Sequence, residues 1–220
     1  MTTQRGPATR VVPAGFVRAH TQVRRPSLVP EVRLHVADDV VALWEAMEDA
    51  PLGAGDAPPF WAAAWPGGQA LARAVLDDPA LVAGRAVLDL GSGSGLVAVA
   101  AVLAGARSVL ASDVDPFSRA AVGVNAGLNG VTGIGVTGDV LDREPPAVDV
   151  VLAGDVCYDR EMTERVLPFL DRARARGVEV LVGDPGRPYL PHERLEPVTV
   201  LDVPETEGPG TRRTTVWRLP

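Results

Sequence analysis

Hydrophobic and polar positions follow two different periods along this chain, and together they predict an α/β protein. From residue 85 onward, short apolar runs typical of buried strands alternate with longer segments whose apolar residues lie three or four positions apart, as in helices. The predicted strands cover residues 86–90, 108–112, 133–137, 148–153, 178–182, 197–203 and 214–219. The predicted helices cover residues 66–77, 96–103, 116–128 and 159–176, and Asp38 or Asp39 can cap a further short helix that ends at Glu48.

The order of these elements predicts the arrangement of the sheet. Strands joined by helices pair in parallel, whereas the last two strands have only a Gly/Pro turn region between them and should pair antiparallel. We therefore expect a Rossmann-like α/β fold: a seven-stranded sheet, mostly parallel, with an antiparallel C-terminal hairpin and helices on both faces.

The chain divides into a short N-terminal extension, residues 1–59, and one domain, residues 60–220. The extension contains a basic arm, the short helix and a loop over residues 51–59. Residues 1–30 contain four prolines and are predicted to be irregular. Lysine is absent, and five arginines but no acids occur in this arm. It is interpreted as a partly ordered tail or as a docking segment for a partner.

Charge and composition narrow the class of protein. The net charge is −7, and residues 31–220 alone carry −12, so nucleic acid is not the expected partner. No apolar run is long enough to span a membrane, and the first residues lack a signal-peptide pattern. The single cysteine excludes an internal disulfide, and we therefore expect a cytoplasmic protein. The three histidines match no metal spacing, so no metal site is expected.

The strongest motif is a glycine loop after the first strand of the domain. Residues 87–95 read Val-Leu-Asp-Leu-Gly-Ser-Gly-Ser-Gly, which places glycines at 91, 93 and 95 just before a helix. Glycines let the backbone turn tightly and approach a ligand closely. A dinucleotide loop would have its third glycine at position 96, which is Leu96, so the spacing argues against an oxidoreductase.

Acidic residues recur at the ends of the predicted parallel strands. Ligands of open α/β sheets bind outside the carboxyl ends of strands, so acids there are candidate ligand contacts, although each can also cap a helix. The five acids are Asp89, Asp113, Asp139, Asp155 and Asp184.

The loop and its acids resemble the seven-strand methyltransferases over nearly all of residues 60–220. The resemblance implies S-adenosylmethionine as cofactor and S-adenosylhomocysteine as product. It implies that Asp113 holds the ribose hydroxyls, with Asp115 as a competing candidate better suited to capping a helix. It also implies that Asp139 contacts the adenine amino group. The expected cofactor contacts are Asp89, Gly91, Ser92, Gly93, Gly95, Asp113, Asp139 and Trp65.

Several segments resemble one subfamily, the electron transfer flavoprotein β-subunit lysine methyltransferases and their bacterial relatives. The bacterial sequences are often labelled nicotinamide N-methylase-like or ribosomal-protein methyltransferase-like. The segments that carry the resemblance are residues 30–35, 60–71, 152–159, 183–188 and 214–217.

In the related lysine methyltransferases an acid-x-x-aromatic motif follows the fourth strand, and here it is Asp155-Val-Cys-Tyr158. The resemblance implies catalytic roles: the carboxylate orients a lysine ammonium, and the aromatic face walls the transfer channel. The alternatives are that Asp155 caps the following helix and that Tyr158 only packs. Cys157 is interpreted as a small buried residue. Asp184 and Arg187 are expected to support the site from the next strand.

Taken with the resemblance, the leading hypothesis is protein-lysine N-methylation by a monomer, with the β subunit of electron transfer flavoprotein or a ribosomal protein as substrate. The alternatives are a small-molecule N-methyltransferase of the nicotinamide type and, from another class, a non-catalytic adenosine- or nucleotide-binding module.

Overall fold

The computed structural model of the chain describes residues 13–48, 58–204 and 210–220. Residues 1–12 of the basic arm, residues 51–57 of the predicted loop and the turn at 205–209 lie outside the described residues.

The structure contains six α-helices and nine β-strands within that described part. The helices are α1 Pro13–Ala19, α2 Val40–Glu48, α3 Pro66–Asp77, α4 Leu96–Leu103, α5 Pro116–Asn129 and α6 Arg160–Ala175. The strands are β1 Gln22–Arg24, β2 Leu34–Val36, β3 Ala86–Leu90, β4 Ser108–Ser112, β5 Ile134–Thr137, β6 Val150–Gly154, β7 Glu179–Asp184, β8 Glu196–Pro204 and β9 Thr211–Leu219.

The seven-stranded sheet has the order β5-β4-β3-β6-β7-β9-β8. Strands β3 to β7 pair in parallel, and β9 pairs antiparallel with both β7 and β8. The strand order reverses between β4 and β6, on either side of β3, so the carboxyl end of β3 is the point where such sheets bind ligands. The predicted fold class is confirmed, including the antiparallel C-terminal pair.

Helices cover both faces of the sheet because the central strands are apolar on both sides. Val87 and Leu152 pack in one hydrophobic cluster with residues of α3, α4 and α5, whereas Leu88 and Val151 pack in a second cluster with residues of α6. This alternation follows from the two-residue period of a strand. Within the described residues, no helix is long and apolar enough to cross a membrane.

The prediction that residues 1–30 are irregular is wrong for the described part. Pro13 begins α1, a position that proline favours, and β1 pairs antiparallel with β2. Phe16 is buried, and its ring lies edge-on to Phe117 of α5 with centroids 5.2 Å apart. These elements are too short to give a periodic sequence signal, and their stability comes from packing on the sheet domain.

Residues on both sides of the predicted boundary at 59/60 share one hydrophobic cluster. Leu43 and Met47 of α2 pack in the same cluster as Trp61, whose ring stacks parallel to Phe117. The division into an extension and a domain stays a prediction.

Candidate active site

The glycine loop leaves β3 as a series of left-handed turns. Gly91, Gly93 and Gly95 have φ angles of 67°, 51° and 81°, a region that favours glycine over residues with a Cβ atom. Gly95 is the N-cap of α4, so the loop leads directly into the free N–H groups of that helix. The spacing of these glycines is therefore explained by backbone conformation.

Asp89 holds the loop and the helix behind it together. Its Oδ2 accepts hydrogen bonds from the Ser92 hydroxyl at 2.5 Å and from the Ala98 N–H, in the first turn of α4, at 3.0 Å. Burial raises the pKa of this carboxyl to about 7, against the effect of those two hydrogen bonds. Asp89, in β3, thus caps the N-terminus of α4. It also lines the cavity described below.

Asp113, at the end of β4, is tied to the same loop. Its Oδ2 accepts the N–H of Gly93 at 2.8 Å, and its Oδ1 accepts the N–H of Asp115 at 3.0 Å. Burial raises the pKa of the Asp113 carboxyl, and these bonds oppose the shift. Asp115 caps α5 by accepting the N–H of Phe117 at 2.8 Å, which confirms the capping interpretation for that residue.

A buried asparagine that the sequence analysis missed braces the loop from α5. The Asn125 amide donates to the Ser94 carbonyl at 2.8 Å, and its Oδ1 accepts the N–H of His35 at 2.8 Å. Asn125 therefore connects the glycine loop to β2 in the N-terminal segment. An asparagine among the apolar positions of a predicted helix is the signal that could have found it.

Three further glycines bring the start of α3 directly against the ends of two strands. They are Gly67, Gly154 and Gly183. A Cβ atom on Gly67 would lie 2.1 Å from the Gly183 carbonyl oxygen, and one on Gly154 would lie 2.9 Å from Gly68. These contacts leave no room for any side chain. They place the N-terminus of α3 beside the ends of β6 and β7, where Asp155 and Asp184 lie.

Asp155 is buried and holds the end of α3. Its Oδ2 accepts the Gly68 N–H at 3.0 Å, and its Oδ1 accepts the Arg187 guanidinium at 3.1 Å. Burial raises the pKa of this carboxyl, and Arg187 opposes that shift. Among the described non-glycine residues, Asp155 alone has a positive φ, 57°. Strained conformations of this kind cluster at functional sites.

The alternative prediction, that Asp155 caps the helix following it, is therefore wrong. Asp159 caps α6, by accepting the N–H of Met162 at 2.7 Å. Asp155 instead accepts from α3, which precedes it by more than 80 residues in the chain. No local sequence pattern predicts that contact.

Arg187 reaches Asp155 from a tight turn after β7. Asp184 Oδ1 accepts the N–H groups of Gly186 and Arg187, both at 2.7 Å, and Gly186 has a φ of 84°. Burial raises the pKa of Asp184. Asp184 Oδ2 and Arg187 Nε are buried and have no hydrogen-bond partner among the described residues. The supporting position predicted for these two residues agrees with this geometry.

One cavity brings together most of the predicted site. Its lining joins the glycine loop, the start of α3 and the end of β6. The predicted site residues that line it are Trp65, Asp89, Gly91, Ser92, Gly93 and Asp155. Gly95 and Asp113 adjoin it through the loop, and Tyr158 lies 40% exposed three residues beyond Asp155.

Asp139 stands apart from this cavity. Its Oδ2 accepts the Arg165 guanidinium at 2.6 Å, and its Oδ1 accepts the N–H of Leu141 at 2.9 Å. Burial acts to raise the pKa of Asp139, but Arg165 and the Leu141 N–H, together with the charge of Arg143, outweigh it and the net shift is downward. The adenine contact stays a prediction, and it requires Asp139 to bind the adenine amino group beside this ion pair.

Cys157 is fully buried, and burial raises its pKa to about 11. It is therefore a neutral thiol at physiological pH, which agrees with its interpretation as a small packing residue.

The cavity suits an adenosine-containing sulfonium cofactor. The loop glycines carry no side chain toward the ligand, and Asp113 offers a carboxylate at the end of the next strand, an acceptor for the hydrogen bonds that ribose hydroxyls donate. Asp89 and Asp155 add two carboxyl groups to the lining of the cavity.

Comparisons with known proteins decide the family. The electron transfer flavoprotein β-subunit lysine methyltransferase of Xenopus laevis is 37% identical over 215 residues, which cover 93% of this chain and 86% of that protein. The protein of the same name from Homo sapiens is 36% identical and covers 92% of this chain and 80% of its own length. The chain belongs to the electron transfer flavoprotein β-subunit lysine methyltransferase family.

Two further matches are consistent with this membership. The sequence profile of the ribosomal protein L11 methyltransferase (PrmA) family matches residues 71–157, the part that holds the glycine loop. The structure of magnesium protoporphyrin IX methyltransferase from Synechocystis PCC 6803 with bound SAM has a TM-score of 0.51 at 13% identity, and the match covers 70% of this chain and 78% of that one. That likeness shows the fold alone. As a member of the family, the chain is an S-adenosylmethionine-dependent methyltransferase.

Proposed function

We propose that this enzyme transfers a methyl group from S-adenosylmethionine to lysine side chains of the β subunit of electron transfer flavoprotein. The observation that carries the proposal is the position of Asp155, which lines the same cavity as the glycine loop and is followed by the exposed Tyr158. The choice of substrate is supported by relatives of that name over more than nine-tenths of the chain.

The cofactor, when bound, supplies the activated methyl group. We assign Gly91, Ser92 and Gly93 to its amino-acid portion and Asp113 to its ribose, because these groups adjoin the cavity at the carboxyl end of β3. The protein then has to align the acceptor for in-line displacement, an effect that contributes up to about 7–11 kcal/mol in well-oriented reactions.

Asp155 and Arg187 act on the acceptor as a pair. The buried carboxylate is positioned by Gly68 and Arg187, so it orients the acceptor amine in a fixed direction. A lysine ammonium must lose a proton before it can accept a methyl group, starting from a reference pKa of about 10.4. The guanidinium of Arg187 offsets the carboxylate charge, so the pair does not hold the proton on the lysine.

An exposed acceptor side of the site supports a protein substrate over a small molecule. Tyr158 and the neighbouring Phe60 are each about two-fifths exposed, whereas a small-molecule site is normally enclosed. The acidic body, at −12 over residues 31–220, suits a lysine-rich segment, and the methylation rate at low substrate concentration should fall as salt rises. We also propose that the enzyme is cytoplasmic, which its single cysteine, the buried Cys157, supports, and that it acts as a monomer.

The deciding experiment is mass spectrometry of purified electron transfer flavoprotein after incubation with the enzyme and S-adenosylmethionine. We expect a gain of one to three methyl masses on lysines of the β subunit, and no gain with the Asp155→Asn variant. Efficient methylation of nicotinamide without any gain of methyl mass on the flavoprotein would overturn the proposal and favour a small-molecule N-methyltransferase. Methylation of ribosomal protein L11 alone would keep the chemistry and change the substrate.

A further inference from the structure

Three exposed aromatic side chains form a continuous group beside the cofactor cavity. Of these, only Tyr158 has so far been assigned a contact with the methyl acceptor. Phe60, Trp65 and Tyr158 are 41%, 37% and 40% exposed. We call this group the aromatic rim. Aromatic residues make up only 5% of the chain, so three exposed ones in contact are a marked concentration.

The rim is held in a defined geometry. The Phe60 ring lies edge-on to Trp65 with centroids 5.8 Å apart, and tilted against Tyr158 at 5.5 Å. The Trp65 indole N–H donates to the Phe60 carbonyl at 2.6 Å. The next residue, Trp61, is fully buried against Phe117 and anchors this turn to the core.

The rim is continuous with the reaction site at two points. Trp65 lines the cavity together with Asp155, and it is the N-cap of α3, whose third residue donates its N–H to Asp155. Tyr158 follows Asp155 by three residues. A side chain that lies across the exposed ring surfaces toward Trp65 would therefore approach the cavity that Asp155 lines.

The electrostatic surroundings of the rim favour a cation. Burial raises the pKa of the Tyr158 hydroxyl, and the carboxylates of Asp159, Asp113 and Glu161 raise it further. These three acids therefore contribute negative charge near the Tyr158 hydroxyl, at one end of the rim. Aromatic faces bind ammonium groups through their ring quadrupole, and their surfaces also cover an aliphatic chain.

We propose that Phe60 and Trp65, with Tyr158, form the slot that holds the side chain of the acceptor lysine, with its methylene chain across the exposed ring surfaces and its nitrogen toward Asp155. This inference rests on the proposed lysine methylation and deepens it, because it assigns Phe60 a role in specificity. It also gives Trp65 contacts with both cofactor and acceptor. The slot should retain methylated lysine, since methylation preserves the charge and adds apolar surface.

The test measures binding of a lysine-like cation separately from turnover. The probe is N-acetyl-Nε-trimethyllysine amide, and its reference is the neutral compound in which carbon replaces the quaternary nitrogen. Both are titrated against the enzyme with S-adenosylhomocysteine present, and the shift of the methyl signal in NMR spectra reports the affinity. We expect the wild type to bind the cation about three- to ten-fold more tightly than the neutral compound.

Matched variants separate an aromatic slot from general apolar packing. Phe60→Tyr should keep the preference for the cation, and Phe60→Leu should reduce it to less than about twofold. Leu103→Ala is the control, because Leu103 is 46% exposed and lies at the C-terminal end of α4, whereas the glycine loop lies at its N-terminal end. Thermal unfolding and cofactor titration of each variant identify any general loss of structure.

The outcomes distinguish this inference from the proposed substrate. If the wild type shows no preference for the cation, or Phe60→Leu keeps it, the slot is disproved even when the flavoprotein is methylated. If the preference is present and depends on Phe60 but the flavoprotein is not methylated, the slot stands and another lysine protein is the substrate.

Discussion

The Gly68 N–H in the first turn of α3 donates to Asp155 Oδ2 at 3.0 Å, across 87 positions of sequence. Asp89 makes the equivalent contact with Ala98 in the first turn of α4. Two neighbouring strands, β3 and β6, therefore each present a buried carboxylate to the N-terminus of a helix, where the helix dipole favours negative charge. The cofactor cavity lies between these two capped helices.

Replacing Asp155 by Asn should separate catalysis from cofactor binding. The variant loses the charge that pairs with Arg187, so we expect a fall in kcat of roughly 100-fold or more, while cofactor affinity stays within a few-fold. Breaking this largely buried ion pair should also lower the free energy of unfolding by about 3 kcal/mol. Kinetics, calorimetric titration and denaturant unfolding measure the three quantities. Asp171→Asn, which removes only an exposed ion pair with Arg194, is the control and should turn over normally.

Gly67→Ala should test the close contact between α3 and the sheet. A Cβ atom at this position would lie 2.1 Å from the Gly183 carbonyl oxygen and 2.7 Å from Asp155 Oδ2. Because a shift of Gly183 would disturb the pairing of β7 and a shift of Gly67 would disturb the packing of α3 on the sheet, we expect a destabilisation of about 3 kcal/mol or more. Gly123→Ala is the control, since its Cβ would meet nothing within 4 Å and the change should stabilise α5 by about 0.5–1 kcal/mol. Equal unfolding midpoints for the two variants would contradict this packing.

Much of the fold could be predicted from the chain because its central strands are short apolar runs with clear ends. The bounds of β3 and β4 agree with the prediction to the residue. Strand β5 was less defined because its burial pattern has no fully buried position. Helix α1 was missed because seven residues contain too few turns for a periodic signal.

The site was predictable where its signal is local. The loop glycines and the cap Asp115 follow from short sequence motifs, and their conformations agree with them. The contacts of Asp155 with Gly68 and Arg187 depend on how three separate elements pack, so no pattern along the chain contains them. The same holds for Gly67 against Gly183, although the pair Gly67-Gly68 after Pro66 at a helix start was a visible oddity.

Removing the Asp113 carboxylate should weaken cofactor binding. Asp113→Ala takes away the proposed ribose acceptor and the partner of the Gly93 N–H, so we expect a loss of about 1.5–3 kcal/mol in affinity for S-adenosylhomocysteine. Asp115→Ala is the matched control two residues away. It removes a helix cap, which should cost about 1 kcal/mol of stability and leave affinity within a few-fold. Unchanged affinity of Asp113→Ala in calorimetry would disprove the ribose assignment.

The buried carboxyl of Asp89 should make stability depend on pH. Its pKa is raised from 3.8 to about 7 in the folded state, so the folded protein holds a proton that the unfolded chain has released. The contribution is fully present below pH 4, and it is lost as pH rises from about 4 to about 7, with a total of up to about 4 kcal/mol. Asp89→Asn should remove this dependence. The measurement is urea unfolding of both proteins between pH 4 and pH 8, and parallel curves would show that Asp89 is ionised throughout.

Arg187 should set the pH at which the acceptor becomes reactive. Its guanidinium lies 3.1 Å from Asp155 Oδ1 and offsets the carboxylate charge that would otherwise stabilise a lysine ammonium beside it. Arg187→Gln removes that positive charge, so the pKa of the bound lysine should rise. The ascending limb of the kcat–pH profile, which reports groups in the enzyme–substrate complex, should then move to higher pH by about one unit. Arg187→Lys keeps the charge and should leave the limb close to its original position. A purely structural role would lower kcat in both variants without moving the limb. A shift to lower pH would contradict the proposed charge effect, because loss of a positive charge raises the pKa values of nearby groups.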